Sequence, residues 1–300
     1  MTSLDSIHIV GGPMRKEVII AIIIGSLIGI SGAYVSLGQR PQSSQTPQTT
    51  TPQASDTPTP QTRSITFQVT SPQLTAVSSE TPITVTGTAQ SESTVILDTP
   101  LSPIFAERID TTFTGKVTLD EGVNPITILE IGESTNVVNR DILFVPGSKD
   151  LLVKSGSITD ITEGGIQIRQ DNGEVSTVKT SNATKYKNDS KTVKEIKATE
   201  VAIGDTIFLA GHMVDKIYFA DYVYVTTLAA KRTEPVKGTV VKSTSKEVIV
   251  SVDGADKAFT LANYQIYSLT KTNLTKIKTP VTGRQVIILP ASILVFEARD

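Results

Sequence analysis

From Ile65 to Pro146 the chain repeats one pattern. Short runs alternate apolar and polar residues, and Gly, Pro, Asn or Ser interrupts each run. SITFQVT sets Ile65, Phe67 and Val69 on one side, and PITVTGT does the same with Ile83 and Val85. FTGKVTL sets Phe113, Val117 and Leu119 against Thr114, Lys116 and Thr118, while TVILD, PITILEI and DILFV complete the series. Residues two apart share one face of a strand, so this period half-buries a strand, and no 3.6-residue period competes with it. About seven such runs in about 80 residues predict an antiparallel β-sandwich over 64–147.

The break at Asp120-Glu121-Gly122 admits three readings: a calcium loop, a catalytic carboxylate pair, or a hairpin corner. Calcium takes about six to eight oxygens, and Asp120, Glu121 and Asn124 fall short without another loop; D-x-D-x-D-G spacing is absent. Adjacent side chains at a strand end diverge, which disfavours a catalytic pair. A corner is expected instead, with Gly122 supplying a positive φ, Asn124-Pro125 leading into the next strand, and both acids in solvent.

VTGTA at Val85–Ala89, then TVILD, then FTGKVTLDEGVNPITI resembles the bacterial Ig-like domains of cell-surface proteins. The cysteine pair and buried Trp of antibody domains are absent, which excludes that subtype. The resemblance implies an Ig-like sandwich on a bacterial surface and no specific ligand.

Residues 152–300 contain an internal repeat. KSGSI at Lys154–Ile158 matches VKGTV at Val236–Val240, IQIRQDNG at Ile166–Gly173 matches VIVSVDG at Val248–Gly254, and VAIGDTIFL at Val201–Leu209 matches PVTGRQVIIL at Pro280–Leu289. The step from Gly156 to Gly238 is nearly the same as that from Gly204 to Gly283, as expected for two copies of one module at 152–230 and 235–300. Asp171-Asn-Gly173 and Asp253-Gly254 predict type I′ hairpin turns, and Ser190 is placed to cap a helical turn over Lys191 to Ala198. Short strands expose edges, so each copy is expected to close into a small Greek-key or OB-like β-barrel. The copies are similar to an uncharacterised family of bacterial extracellular β-barrel repeats, from which no function carries over. The second copy has Gly283-Arg284 where that family's pattern has Gly-Asp.

Residues 1–63 set the expected address. Val18–Gly38 has no charged residue, and its 21 residues span about 31 Å as a helix, close to a bilayer core of about 30 Å. Arg15 and Lys16 precede it, so a cytoplasmic tail at 1–17, a transmembrane helix at 18–38 and extracytoplasmic domains are expected. The rival is a signal peptide cleaved near Ala33. The 17-residue leader and the apolar run continuing through Tyr34, Val35 and Leu37 favour the anchor. Residues 39–63 are Pro, Thr, Gln and Ser, a composition expected to form a disordered stalk. The fold class is therefore mainly β: a transmembrane helix, an Ig-like sandwich, and two small barrels.

The chain has no cysteine, which excludes thiol catalysis, disulfides, iron–sulfur clusters and cysteine-ligated zinc. Its two histidines, His8 and His212, lie far apart in the chain, and His212 sits in a Gly211-His212-Met213 loop. No G-x-S-x-G, H-E-x-x-H or phosphate loop is present, so no enzyme, metal or cofactor is expected. Charge divides unevenly: 61–150 carry 5 Lys+Arg against 11 Asp+Glu, a net of −6, and 151–300 carry 20 against 16, a net of +4.

Two features suggest a ligand surface. KYKNDSKTVKEIK concentrates Lys185, Lys187, Lys191, Lys194 and Lys197. IYFADYVYV places Tyr218, Tyr222 and Tyr224 on one strand face and Phe219, Val223 and Val225 on the other, with the Phe face in the core. The Tyr face either stacks sugars or bases, or packs on the neighbouring barrel. The expected role is adhesion or envelope scaffolding with a protein partner; the alternative is a module binding extracellular DNA or glycan through this basic and Tyr surface.

Overall fold

The computed structural model describes residues 66–189, 192–227 and 234–297. The tail, the Val18–Gly38 segment, the stalk and Lys191 lie outside the described residues. Among the described residues no helix is long and apolar enough to cross a membrane. Thr62–Asp300 forms one compact unit, and its described part is mainly β, with no α-helix among the described residues.

Nine strands make the first layer pair: β1 (Gln68–Ser71), β2 (Thr75–Ser78), β3 (Ile83–Thr88), β4 (Thr94–Asp98), β5 (Ile104–Phe105), β6 (Glu107–Ile109), β7 (Thr112–Val117), β8 (Gly122–Ile131) and β9 (Thr135–Phe144). One sheet runs β1-β3-β7-β6 and the other β2-β9-β8-β4-β5. Between them lies a core containing Val85, Leu97, Phe113, Ile126, Ile128 and Ile142. Val69, Val85, Phe113, Val117 and Leu119, which the alternating pattern points inward, are in this core, with Phe67 and Ile83 packed against it; Ile65 lies outside the described residues.

The corner at Asp120–Gly122 differs from the expectation. β7 pairs only with β3 and β6, and β8 only with β4 and β9, so the corner is not a hairpin. It carries the chain from one sheet across to the other. Gly122 adopts φ +101°, which explains the glycine, but Glu121 is turned toward a neighbouring barrel instead of bulk solvent.

The first repeat comprises β10 (Leu152–Thr162), β11 (Gly165–Arg169), β12 (Val175–Lys179), β13 (Lys185–Asp189), β14 (Val193–Ile196), β15 (Thr206–Val214) and β16 (Ile217–Thr226). The second comprises β17 (Val236–Ser243), β18 (Glu247–Val252), β19 (Ala255–Thr260), β20 (Gln265–Leu269), β21 (Leu274–Lys276), β22 (Gln285–Ile288) and β23 (Ser292–Phe296). The two sheets run β12-β11-β10-β15-β16-β13-β14 and β19-β18-β17-β22-β23-β20-β21, the same order copy for copy. Both place a bulge at the same point of the first strand, between Ile158 and Asp160 and between Val240 and Lys242.

In the first copy β12 also pairs in parallel with β16, through Val178↔Tyr218 and Lys179↔Phe219. That pairing closes β12-β11-β10-β15-β16 into a five-stranded barrel, with the β13–β14 hairpin extending from β16. In the second copy β23 has five residues where β16 has ten, and no pairing of β19 with β23 is formed among the described residues.

Two local expectations need correction. Val193–Ile196 is a strand paired with β13, and only Ala198–Glu200 turns, as a single 3-10 turn. Strand pairing on the edge of the sheet outweighs the weak helical propensity there. Asp253 and Gly254 both have positive φ, as a type I′ turn requires, whereas in Asp171–Gly173 only Gly173 does, and the loop is longer.

The barrels do not hang as separate beads. The outer face of the five-stranded sandwich sheet is covered by both of them. Val123, Leu143 and Val145 pack against Phe208, Ala210 and Tyr224 of the first barrel. Ile96 and Leu129 pack against Tyr267, Leu269, Ile287, Leu289 and Leu294 of the second. Consequently β8 is buried on both faces along most of its length.

Candidate functional site at the sandwich–barrel junction

The basic run and the Tyr strand converge on the first seam. On β16 the register skips between Ala210↔Tyr222 and Gly211↔Ala220, leaving Asp221 as an extra residue. A bulge shifts the alternation by one. Tyr218 therefore lies with Ala220 and Val223 inside the barrel core, not beside Tyr222 and Tyr224. Its hydroxyl donates to the carbonyl oxygens of Leu152 at 2.8 Å and Leu209 at 3.1 Å, and burial raises its pKa. Phe219 lies outside that core and stacks on His212. The expected single Tyr face with Phe219 in the core is thus overturned by one inserted residue, for which Asp221 in the middle of an apolar run is the only sequence signal.

Tyr222 and Tyr224 do share a face, and it is covered by the sandwich. Their rings stack at 6.4 Å between centroids. Tyr224 is fully buried, and its hydroxyl donates to Glu121 Oε1 at 3.2 Å. Burial and then the Glu121 charge raise the Tyr224 pKa. Lys187, from the basic run, forms an ion pair with Glu121 and lies over both rings, 5.7 Å from each centroid. Lys185 lies 5.6 Å from the Tyr222 centroid.

Asp189 completes the junction. It is 5 % exposed, and its Oδ2 accepts from the backbone N–H of Val123 at 2.5 Å, while its carbonyl oxygen accepts from Thr226 at 3.1 Å. Burial raises its pKa; the Val123 bond opposes that rise and the Glu121 charge adds to it. A Cβ at position 122 would overlap the Asp189 carboxylate, so glycine is required there on two counts, space and φ. The Asp120–Asn124 corner and the basic run thus form two halves of one joint.

The second seam has its own polar lock. Asp98, 2 % exposed, accepts from Ser292 Oγ at 2.6 Å and from the Ala291 N–H at 3.3 Å, and burial pushes its pKa up to about 6. Gln265 Nε2 donates to the Leu101 carbonyl at 2.6 Å. Asp98 and Asp189 carried no signal in sequence, because neither belongs to a motif and their partners lie 194 and 66 residues away.

The remaining lysines separate. Lys194 is exposed on β14, Lys191 lies outside the described residues, and Lys185 and Lys197 line a cleft between the β10–β11 loop and the β13–β14 hairpin. His212 Nδ1 lies 2.9 Å from Asp221 Oδ2 on the barrel surface. Among the described residues no group of three or more His, Asp or Glu side chains is placed to hold a metal ion. Compared with known proteins, the chain matches no family model and no curated relative.

Proposed function

We propose that this chain is a single-pass, membrane-anchored extracytoplasmic protein whose β-rich head acts without catalysis, in adhesion or envelope scaffolding. The anchor is Val18–Gly38, the N-terminus is cytoplasmic, and residues 39–63 form the stalk. Shifted titration behaviour marks either a reactive site or a structural network. Here the observation that carries the reading is geometric: the buried Asp98, Asp189 and Tyr224 sit in the two seams, and their hydrogen bonds bind one module to the next, while Tyr218, its pKa also raised, is a buried core residue bonded to backbone carbonyls.

The head is read as an Ig-like sandwich followed by two OB-like barrels. The order β1-β3-β7-β6 over β2-β9-β8-β4-β5 supports the first, since it follows the ABED and GFC sheets of that architecture. A three-strand meander and a returning hairpin in both copies, with a parallel closing pair in the first, support the second. The Tyr222 and Tyr224 face is occupied by the sandwich, which favours scaffolding over the DNA- or glycan-binding alternative at that face.

Cross-linking intact cells, solubilising the membrane fraction and identifying the products by mass spectrometry tests this. Peptides upstream of Val18 in the membrane fraction, together with a reproducible envelope-protein partner, are expected. A chain released into the medium and beginning near Ala33 refutes the anchor. Cross-links to polymer alone refute the scaffold.

A further inference from the structure

The two repeats carry a cleft at the same place. In the first copy it opens between the β10–β11 loop, the 180–184 linker and the β13–β14 hairpin, with a volume of about 740 Å³. In the second it opens between the β17–β18 loop, the 260–264 linker and β21, with a volume of about 480 Å³. Both lie within the range of about 300–1,000 Å³ typical of small-ligand clefts. Ile166, Ile196 and Val201 line the first, and Leu261, Ile266 and Ile277 line the second. Lys197 and Lys278 stand at equivalent places in the two copies, each following the isoleucine of that wall.

The charge is uncompensated. Lys197 brings its charge to the first cleft with one acid, Glu195, while Lys185 lines that cleft but holds its ammonium over Tyr222; Lys246, Lys276 and Lys278 line the second cleft with no acid. The ion pairs among the described residues are Lys187–Glu121 and His212–Asp221, so none of the five cleft lysines is neutralised by a carboxylate. Hydroxyls and amides share the walls: Thr180, Ser181 and Asn182 in one, Ser245, Thr260 and Gln265 in the other.

We infer that these two repeat-related clefts bind acidic sugar units of one glycan chain, a uronate or a phosphate-bearing sugar. Aliphatic walls suit the apolar face of a sugar ring, hydroxyls and amides suit its hydroxyls, and the lysines suit its anion. Single-stranded nucleic acid needs exposed rings on which bases stack. Each cleft holds one tyrosine, and Tyr186 and Tyr264 are half-buried and packed on their barrel cores. A polymer long enough to span both clefts gains avidity from the second, so affinity should rise with its length. The inference stands on the clefts and does not depend on the membrane anchor.

The test uses the full chain in detergent with four immobilised probes: polygalacturonate, a glycerol-phosphate polymer, neutral dextran and oligo-dT. One or both of the acidic polymers should bind, with affinity falling as salt rises, and which of them binds names the anion. Lys197→Glu and Lys278→Glu should each weaken binding about tenfold or more, and the pair about a hundredfold, since the second site then no longer compensates. Both residues are exposed, so the unfolding midpoint should not move; the Lys→Gln pair repeats the test without reversing charge. Lys194→Glu, on the same hairpin but outside the cleft, should change affinity less than about threefold. Full binding by the double variant, an equal loss with Lys194→Glu, equal binding of dextran, preference for oligo-dT, or no binding of either acidic polymer overturns the inference.

Discussion

Replacing Gly122 with alanine should break the first seam from the sandwich side. The position holds φ +101°, where an L-residue is strained by about 1–3 kcal/mol. The new Cβ would also overlap Asp189 Oδ2 and lie 2.9 Å from Val193 Cγ2. Relief requires the carboxylate to move, which gives up its 2.5 Å bond to the Val123 N–H and leaves two buried polar groups without each other. That costs about 1–3 kcal/mol. Together the loss is about 2–6 kcal/mol, a large part of the about 5–15 kcal/mol that holds a domain. Asp189→Ala alone should cost about 1–3 kcal/mol. The double variant should cost about 1–2 kcal/mol less than the sum, because removing the carboxylate removes the clash. The chain has seven tyrosines and no tryptophan, and Tyr222 and Tyr224 lie at this seam, so tyrosine emission reports on it during urea unfolding. Hydrogen exchange then locates the effect, since several modules need not unfold in one step. Protection should fall in β13 and β16 as well as in β8. An alanine that costs no more than an ordinary surface change, about 0.5 kcal/mol, refutes the argument. So does a loss of protection confined to the β7–β8 corner.

Asp98 makes stability pH-dependent. Its pKa rises from 3.8 unfolded to about 6 in the fold, so its protonated form is favoured by folding; the second seam is strongest below pH 3.8 with respect to this group and weakens as pH rises through 6, by up to about 3 kcal/mol. Unfolding midpoints between pH 4 and 7.5 should show that decline, and Asp98→Asn should flatten it. Tyr224→Phe removes only the hydroxyl bond to Glu121 and should cost about 0.5–1.5 kcal/mol by urea unfolding; an unchanged midpoint would deny that bond a role. Gly156 and Gly238 are equivalent positions whose added Cβ would strike the carbonyl oxygens of Arg169 and Ser251, so alanine at either should destabilise by about 1–3 kcal/mol, and tolerance in one copy but not the other would break the equivalence.

Much of the fold was legible because it rests on local periods. The alternation around Phe113 and Val85 placed the sandwich core, and the offset between VAIGDTIFL and PVTGRQVIIL anticipated two sheets with one strand order. The seams were not legible. β15 and β22 are apolar on both faces because one side faces the barrel and the other the sandwich, and a continuous apolar run does not say what lies on its second side. The Tyr strand failed for a narrower reason, the inserted Asp221, which reverses every side chain after it. Lys185 and Lys197 stood out in sequence as charges of interest. The structure divides them: Lys185 and Lys187, two apart on β13, both reach the Tyr222 ring at the seam, while Lys197 lies at the cleft.

Sandwich and barrels form one body, joined along two seams. The chain has no cysteine, so single cysteines can be added for spin labels without background. Labels at the exposed positions Lys116 and Glu163 join the sandwich to the first barrel, and labels at Lys116 and Lys257 join it to the second. Pulsed dipolar distance measurement on the full chain should give one narrow distribution for each pair. Broad or multiple distributions for either pair would show modules moving independently and would contradict the account.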